Sequence, residues 1–497
     1  MDNVGVTYCI FKHIRHPFDK GDMSYLCGME VNKRTNQHHN EEKKKQKPTP
    51  TISRILDNGS IVELLYDPEK RTTSFALWNG DEWRREESIS IGNDGRLVPY
   101  TPHNNLIRNE VVLLPSAPEE YHSTDDLIEE IHKYIHRYVD LTPRFEKIAS
   151  YYVLLSWIYD GFNELPYLRL RGDYGSGKTR FLLTVGSLCY KPIFASGAST
   201  VSPIFHTLDA FRGTLIIDEG DFRWSDDKAE IVKILNNGNV KGFPVLRIEV
   251  SPTKEFNPRA FCVYGPKIVA TRGYYDDRAL ESRFITEEMG QCRLRDDVPI
   301  NLPSVYKDEA RSLRNKLLLF RFRNLGKTGV IDSLVDHGIE PRLNQIFVPL
   351  LSIIDDEKLR SELRDVARDY HKEFIIDRGM DIEGQVLEVI KDLFVRSEKG
   401  VLSVKNITGA FINRYGDEYE KTISAKWIGT IIRKRLHLKT QKSRGVFVIP
   451  LSEKPKLDLL WERFGIAAEN ARQPEGGGPS DPEETETRQR FESHSGS

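Results

Sequence analysis

The sequence has 497 residues, with 72 lysines and arginines against 74 aspartates and glutamates, for a formal net charge of −2. At about 100–200 residues per domain, this length predicts roughly two to four domains. The sequence contains no apolar run of about eighteen residues, no basic-then-apolar leader and no C-x-x-C pair among its five cysteines. These absences argue against a membrane span, a secretory signal and a disulfide framework, so we expect a cytoplasmic protein with no membrane partner.

The amino-terminal part predicts an arm followed by a β-rich segment. Residues 1–50 end in a polar, lysine-rich run that is typical of an arm or linker. Residues 51–118 contain short β-rich stretches separated by Asn58-Gly59 and Asn79-Gly80, and they predict a small antiparallel β-domain. Two helices are expected next, at about Thr124–Tyr138 and Pro143–Tyr159.

Apolar, strand-like runs alternate with helical runs between residues 166 and 287. This alternation predicts an α/β core with a parallel sheet, which occupies residues 119–300 together with the two leading helices. Residues 301–378 have helical periodicity and are expected to form an α-helical lid. Residues 379–470 have the element order of a winged helix, and residues 471–497 predict a disordered acidic tail.

A glycine-rich motif, GDYGSGKT at Gly172–Thr179, lies between a predicted strand and a predicted helix. This is the setting of a phosphate-binding P-loop, in which backbone N–H groups surround the phosphates of ATP. Lys178 is expected to contact the β- and γ-phosphates, and the Thr179 hydroxyl to bind Mg²⁺. The predicted nucleotide contacts comprise Gly172, Asp173, Tyr174, Gly175, Ser176, Gly177, Lys178, Thr179 and Arg180.

Two further strands predict the rest of an ATPase site. The run LIIDE at Leu215–Glu219 is an apolar strand that ends in two carboxylates. We expect Asp218 to hold Mg²⁺ through water and Glu219 to polarise the attacking water. The strand KIVATRG carries Thr271 at its carboxyl end, the edge at which α/β sheets bind ligands, so Thr271 is expected to sense or orient that water.

An arginine-containing segment, DDRALESRF, follows Thr271 and contains Arg278 and Arg283. An arginine from a neighbouring subunit that reaches the γ-phosphate accelerates hydrolysis by about 10³–10⁵. We assign this role to Arg283. The alternative is a structural ion pair with a nearby carboxylate, namely Asp276, Asp277 or Glu281.

With these motifs the sequence resembles AAA+ ATPases of the helicase kind, including minichromosome-maintenance and superfamily-three helicases. More narrowly, from Val112 to Ile449 it is similar to helicase-like ATPases that accompany primase–polymerase modules in phages, plasmids and integrated elements. The resemblance implies a ring, commonly a hexamer, and a lid arginine at Arg342, for which a plain surface arginine is the alternative. Thr271 stands where asparagine is commoner, and no primase motif is visible, so any priming partner is a separate chain.

A long insertion, from Asn236 to Gly265, contains two β-like runs. Helicase rings of the resembled groups carry a channel hairpin here, which implies DNA contacts by Lys241, Arg247 and Lys254. The alternative is a purely structural hairpin.

The carboxy-terminal segment from Lys421 to Leu451 contains basic residues and no acidic one, which is typical of a surface that binds phosphates. The alternatives are a solvated face or a winged helix that contacts protein. If the segment binds DNA, the third helix contributes Lys426, Arg433, Lys434 and Arg435, and the wing contributes Lys442 and Arg444.

Together these patterns predict an ATP-dependent motor on DNA, either a replicative helicase or a helicase loader of a mobile element. The alternative is an ATP-gated DNA-binding initiator, regulator or defence ATPase that does not unwind DNA. A protein-remodelling machine is disfavoured because the insertion has no obvious aromatic–hydrophobic pore loop and the carboxy-terminal segment is basic.

Overall fold

The computed structural model describes residues 47–92, 95–220, 226–248, 257–275, 277–291, 293–396, 402–419 and 422–466. Residues 1–46 of the predicted arm, the predicted tail at 471–497, Lys254 and Asp276 therefore lie outside the described residues. Within the described ranges, no helix is long and apolar enough to cross a membrane.

The first part of the described chain forms two small sheets. Its strands are β1 (Lys47–Thr51), β2 (Ser53–Ile55), β3 (Ile61–Asp67), β4 (Thr72–Trp78), β5 (Trp83–Glu86), β6 (Ile89–Ile91) and β7 (Gly95–Pro99). Strands β2 to β5 form one antiparallel sheet in that order, and β7 lies between β1 and β6 in the other. The turn before β3 is made at Gly59, whose φ of +82° is readily available to glycine, and Asn58 accepts a hydrogen bond from the Ser60 N–H.

The centre of the chain is a five-stranded parallel sheet with helices between its strands. Its strands follow the order β14-β8-β13-β10-β9, so β13 separates the strand that enters the P-loop from the strand that ends in Asp218. The parallel sheet predicted from the alternating runs is confirmed. The elements are α1 (Asn105–Arg108), α2 (Thr124–Tyr138), α3 (Pro143–Trp157), β8 (Tyr167–Arg171), α4 (Lys178–Leu188), β9 (Ile193–Ser196), α5 (Val201–Phe211), β10 (Leu215–Asp218), α6 (Asp226–Asn237), β11 (Val245–Arg247), β12 (Arg259–Phe261), β13 (Lys267–Thr271), α7 (Arg278–Glu281) and β14 (Phe284–Glu288).

The two leading helices begin at side-chain caps. The Ser123 hydroxyl accepts a hydrogen bond from the Asp126 N–H at 3.1 Å, and the Thr142 hydroxyl accepts one from the Phe145 N–H at 3.3 Å. Each cap satisfies a backbone donor that has no partner within the helix. Pro143 occupies the first position of α3, where its missing N–H costs nothing.

Three longer helices follow the sheet: α8 (Val305–Asn324), α9 (Pro341–Leu351) and α10 (Glu357–Met380). Helix α8 shares the apolar core of α2, α3 and α4, and its buried Arg314 donates to the carbonyl oxygen of Ser187 at the end of α4. Helices α9 and α10 pack on each other, and their buried apolar residues belong to the same core.

The β-rich segment and the sheet domain are joined through this same core. Trp78 of β4 stacks on Phe322 of α8, with ring centroids 5.6 Å apart. The buried guanidinium of Arg321 donates to Glu63 of β3 at 2.9 Å and to Asp160 at 2.7 Å. A buried charge is tolerated only when it is paired, so this contact fixes β3 against α8.

The carboxy-terminal part encloses an apolar core of its own. Its elements are α11 (Ile382–Arg396), β15 (Leu402–Ser403), α12 (Val404–Tyr415), α13 (Ala425–Thr430), which continues as a π-helical turn at Ile431–Arg435, β16 (Gln441–Ser443), β17 (Val446–Ile449) and α14 (Lys454–Arg463). The three strands are antiparallel in the order β15-β17-β16. Short 3₁₀ turns elsewhere occupy Tyr159–Gly161, Leu325–Lys327, Asp332–Leu334, Gly416–Glu418 and Leu451–Glu453.

Candidate nucleotide-binding site

The P-loop connects β8 to α4, and all three of its glycines have positive φ, with Gly175 at +73°. Gly177 is the residue before α4 and has φ of +91°, in the left-handed region. Gly172 follows β8, and a Cβ atom there would lie 2.6 Å from the carbonyl oxygen of Met289. The loop is therefore packed against the end of β14, and α4 directs its N-terminal N–H groups into the loop.

The Lys178 ammonium lies within the curl of the loop. It donates hydrogen bonds to the carbonyl oxygens of Gly172 at 2.6 Å and Asp173 at 2.7 Å, and it lies 3.3 Å from the Ser176 hydroxyl. A single mobile ammonium among carbonyl oxygens can exchange these partners for phosphate oxygens.

Thr179 and Asp218 link the P-loop to β10. The Thr179 hydroxyl donates to Oδ2 of Asp218 at 2.8 Å, and Oδ1 of Asp218 accepts from the Glu219 N–H at 2.9 Å. A hydroxyl and a carboxylate in contact are hard oxygen donors of the kind that Mg²⁺ prefers. These two residues therefore fit a magnesium ion that would be shared with phosphate.

Glu219 is held in an unusual backbone conformation. Its φ is +55°, which is uncommon for a non-glycine residue, and its side chain is 70% exposed on the cleft side of the sheet. Backbone outliers of this kind cost on the order of 1–3 kcal/mol and cluster at functional sites. The carboxylate of Glu219 is therefore open to solvent rather than buried in the core.

Thr271 ends β13, directly between β8 and β10. Its side chain is buried, and its hydroxyl oxygen has no hydrogen-bond partner among the described residues. Its carbonyl oxygen accepts from the Gly172 N–H at 3.2 Å, which keeps Thr271 adjacent to the start of the P-loop. A buried hydroxyl without a partner is costly, and at this edge of the sheet it is available to a ligand.

Arg272 is a residue that the sequence reasoning missed. Its guanidinium carbon lies 3.8 Å from the ring centroid of Tyr174, and its Nη2 lies 3.9 Å from a carboxylate oxygen of Glu219. The available signal was its position, because a cation directly after Thr271 must emerge at the same carboxyl edge as the P-loop. Arg272 therefore brings a positive charge next to the carboxylate assigned to polarise water.

A cavity of about 770 Å³ opens beside the P-loop, within the size range of nucleotide sites. The P-loop glycines and Tyr174 line this cavity together with Asp140, Met289, Leu294 and Ile300. Arg180 also lines it, and its guanidinium donates to the carbonyl oxygens of Pro299 and Ile300.

Arg283 lies at the other end of the sheet. Its carbonyl oxygen accepts from the N–H of Tyr167, the first residue of β8, whereas Lys178 lies beyond the last residue of β8. Strands rise by about 3.3 Å per residue, so the two ends of β8 are roughly 13 Å apart. The Arg283 guanidinium donates to Asn239 at 2.8 Å and to the carbonyl oxygen of Asn236 at 3.0 Å.

Arg342 lies beside Arg283. Both guanidiniums donate to the carbonyl oxygen of Ala279, that of Arg342 at 2.7 Å. Burial, followed by the proximity of Arg342, lowers the pKa of Arg283 to about 10, and burial also lowers the pKa of Arg342. Two guanidiniums this close favour an anion between them, and both lie away from the chain's own P-loop.

Two of the three carboxylates considered as ion-pair partners for Arg283 are engaged with other residues, and Asp276 lies outside the described residues. Asp277 accepts from Asn236 at 2.6 Å and caps α7, while Glu281 pairs with Arg169 at 2.6 Å. Arg278 forms a bidentate ion pair with Asp381 at the start of the carboxy-terminal part. Among the described residues, Arg283 has no ion pair with a carboxylate.

The insertion contains an antiparallel ribbon formed by β11 and β12. Arg247 pairs with Glu230 of α6 at 2.7 Å, and the Lys241 ammonium, before β11, donates to the carbonyl oxygen of Asp160 at 2.6 Å. The two predicted DNA contacts that are described are thus engaged within the chain, and Lys254 lies outside the described residues. Arg259 of β12 is half-exposed and pairs with Asp209 at 3.4 Å. The large exposed apolar side chains on this ribbon and its approach are those of Phe243, Leu246 and Ile248.

The basic residues of the carboxy-terminal part are mostly exposed. Lys426 lies on α13, and Arg433 and Lys434 lie on the π-helical turn that follows it. Arg435, in the same turn, pairs with Glu383 at 3.0 Å. Lys442 lies on β16 and Arg444 in the turn between β16 and β17, and both side chains are exposed.

No protein-family model matches this sequence, and no curated protein matches it. Among solved structures, the chain is similar to the NrS-1 C-terminal region at 10% identity over 78% of this chain and 96% of that one, with a TM-score of 0.33. The chain is also similar to SCCmec type IV Cch, described as an active helicase, at 10% identity over 82% of this chain and 80% of that one, with a TM-score of 0.37. A third similar structure is Cdc6p from Pyrobaculum aerophilum, at 10% identity over 68% of this chain and 97% of that one, with a TM-score of 0.20. At such scores the superposition is partial, and the functional argument depends on the geometry of the site itself.

Proposed function

We propose that this chain is an ATP-hydrolysing motor that acts on DNA, as a replicative helicase or helicase loader of a mobile element. The observation that carries the proposal is the contact between the Thr179 hydroxyl and Asp218 at 2.8 Å, with Lys178 inside the P-loop and Glu219 at the same edge. A phosphate-binding loop in contact with a strand that ends in carboxylates is the arrangement that phosphoryl transfer to water requires.

Each side chain then has a defined task. Lys178 and the P-loop N–H groups hold the phosphates, while Thr179 and Asp218 hold Mg²⁺, which when bound neutralises charge on the transferred phosphate. Glu219 takes the proton of the attacking water, and the unpaired hydroxyl of Thr271 orients that water or the γ-phosphate.

The position of Arg283 supports action in an assembly of several chains. Because Arg283 and Arg342 lie at the amino-terminal ends of the strands, they are too far from Lys178 to serve the same nucleotide. A head-to-tail ring brings this end of one subunit to the P-loop end of the next. We therefore propose that Arg283 completes the site of a neighbouring subunit, with Arg342 beside it, in a ring that is commonly a hexamer.

The carboxy-terminal part supports the DNA-binding half of the proposal. The order α11, β15, α12, α13, β16, β17 and its three-stranded antiparallel sheet correspond to a winged helix. Lys426, Arg433 and Lys434 are exposed on the third helix and its extension, where they would contact phosphates. Any primase or polymerase that works with this motor would be a separate chain.

The decisive experiment measures ATP turnover with and without DNA, and strand displacement on a forked substrate. The wild-type protein should hydrolyse ATP faster with DNA and displace the strand, and the Lys178→Ala variant should do neither. If the wild-type protein does not hydrolyse ATP with or without DNA, the proposal is refuted.

One observation favours the second candidate, an ATP-gated initiator, regulator or defence ATPase. The described cations of the insertion are engaged within the chain: Arg247 pairs with Glu230, Lys241 donates to the carbonyl oxygen of Asp160, and Arg259 pairs with Asp209. The exposed apolar side chains of Phe243, Leu246 and Ile248 lie on the same ribbon and its approach. A switch of this kind would show DNA-stimulated turnover without strand displacement.

The third candidate, a protein-remodelling machine, was disfavoured because no aromatic–hydrophobic pore loop was visible in the sequence. In the structure, Phe243, Leu246 and Ile248 of the insertion expose aromatic and aliphatic side chains, so the absence of such residues no longer counts against a remodelling machine. The basic carboxy-terminal part still favours DNA, and turnover that no nucleic acid stimulates would favour remodelling.

A further inference from the structure

An exposed aromatic side chain stands in the middle of the basic surface of the carboxy-terminal part. Phe447 of β17 is 51% exposed, whereas the next two residues of the strand, Val448 and Ile449, are buried. A single exposed apolar residue is common on protein surfaces. What marks Phe447 as a candidate ligand contact is the set of cations around its ring.

Cations surround this ring on several sides. The Arg433 guanidinium carbon lies 5.8 Å from the ring centroid, and Lys442 is directly opposite Phe447 in the β16–β17 register. Cross-strand neighbours have Cβ atoms about 5 Å apart, so the Lys442 stem flanks the ring. Arg444 lies at the tip of the same hairpin, two residues after Lys442.

The backbone fixes these groups in place. Arg444 and Gly445 have φ of +47° and +83°, the pair of positive angles that makes a tight two-residue hairpin turn. Arg433 lies in the π-helical turn at Ile431–Arg435, and its guanidinium packs so closely over Gly429 that a Cβ atom there would lie 3.1 Å from it. Such π-turns occur frequently at functional sites.

From this arrangement, and resting on the proposed DNA-binding function, we propose that the face of Phe447 stacks on an unpaired base of single-stranded DNA. Arg433, Lys442 and Arg444 would hold the phosphates on either side of that base. An aromatic platform beside a basic track is the chemistry that binds single strands without sequence preference. In a duplex, by contrast, the base faces are stacked on one another and closed to the ring.

The segment from Lys421 to Leu451 contains no acidic residue, so its charge complements a phosphate backbone rather than a basic protein. Duplex docking through the third helix uses base edges and phosphates, and it gives Phe447 no special role. The two modes therefore differ in how strongly binding depends on the aromatic ring.

The test compares binding of the full-length protein to a labelled oligo-dT and to a blunt duplex of equal length. Phe447→Ala should weaken binding to oligo-dT by about 5- to 150-fold and leave duplex binding within about twofold. Phe447→Tyr should restore oligo-dT binding, whereas Phe447→Leu, which keeps apolar bulk without a π-face, should not.

Leu459→Ala is the matched control, because Leu459 is an exposed apolar residue on α14 of the same unit. It should bind both DNAs as the wild type does. Equal losses on single strand and duplex, or no loss on either, would overturn the stacking assignment while leaving the motor proposal standing. Failure of the wild-type protein to bind any DNA would instead count against the proposed function itself.

Discussion

Removing the Arg283 guanidinium tests whether the site is shared between subunits. The side chain lies at the amino-terminal end of β8 and the P-loop at its carboxyl end, roughly 13 Å apart, so Arg283 cannot reach the γ-phosphate held by its own Lys178. If Arg283 serves a neighbouring subunit, Arg283→Ala should lower the rate of ATP hydrolysis by about 10³- to 10⁵-fold. Nucleotide binding by the same subunit should be retained.

Mixing two inactive variants makes the test specific. Arg283→Ala subunits keep Lys178, and Lys178→Ala subunits keep Arg283. In an equal mixture, about one interface in four joins an intact P-loop to an intact arginine, so about a quarter of wild-type turnover should return if sites act independently. The assay is steady-state phosphate release after the subunits have been mixed and allowed to exchange.

Two controls separate a catalytic role from a structural one. Arg278→Ala removes an arginine of the same segment that pairs with Asp381, and it should retain most of the turnover. Because Arg283 also donates to Asn239 and to the carbonyl oxygen of Asn236, the Arg283→Ala protein must be checked by thermal melting. A well-folded, assembled mixture that recovers no turnover would refute action in trans.

Three further predictions concern single residues. Asp218→Asn keeps an oxygen that can accept a hydrogen bond from Thr179 but removes the charge that holds Mg²⁺. ATP turnover should therefore fall on the order of 10²-fold, and nucleotide binding should lose its dependence on Mg²⁺. Near-normal turnover would contradict this role. Thr271→Val removes a buried hydroxyl that has no partner among the described residues. The melting temperature should therefore stay level or rise, while ATP turnover should fall about tenfold or more. Unchanged turnover would mean that Thr271 does not face the reacting phosphate. Burial lowers the pKa of Lys267 from 10.5 to about 7, so between these values the unfolded chain holds a proton that the folded chain does not, and stability rises with pH. Compared with Lys267→Met, the free energy of unfolding of the wild type should therefore climb by at most about 1.4 kcal/mol per pH unit above pH 7, and parallel curves for the two proteins would contradict the assignment.

The nucleotide half of the site was accessible from the sequence because its signals are local. The P-loop glycines, Lys178 and Thr179 are contiguous, and β10 is an apolar run that ends in carboxylates. Parallel strands meet at one edge, so the contact between Thr179 and Asp218 follows once the alternation of strands and helices is recognised. The parallel sheet itself was predicted for the same reason.

Residues whose role depends on distant partners were harder to place. Arg247 has the charge expected of a DNA contact, but Glu230, seventeen positions away on another element, pairs with it. Arg180 follows the P-loop directly, yet its guanidinium contacts the carbonyl oxygens of Pro299 and Ile300. No periodicity or motif encodes such long-range pairing, because it depends on how the elements pack.

The segment that contains Arg278 and Arg283 connects the amino-terminal end of the parallel sheet to the carboxy-terminal part, which we propose binds DNA. Arg278 of α7 is paired with Asp381, the residue just before α11. Arg283, which follows α7 by two residues, is the arginine that we propose reaches the nucleotide of a neighbouring subunit. A shift of the carboxy-terminal part on DNA must therefore either move α7 or break the Arg278–Asp381 pair. Because both guanidiniums of the Arg283–Arg342 pair are bonded to Ala279 within α7, moving this helix would move them relative to the next subunit's P-loop. This linkage gives the proposed motor a physical route by which DNA binding at one end of the chain changes ATP turnover at the adjacent site.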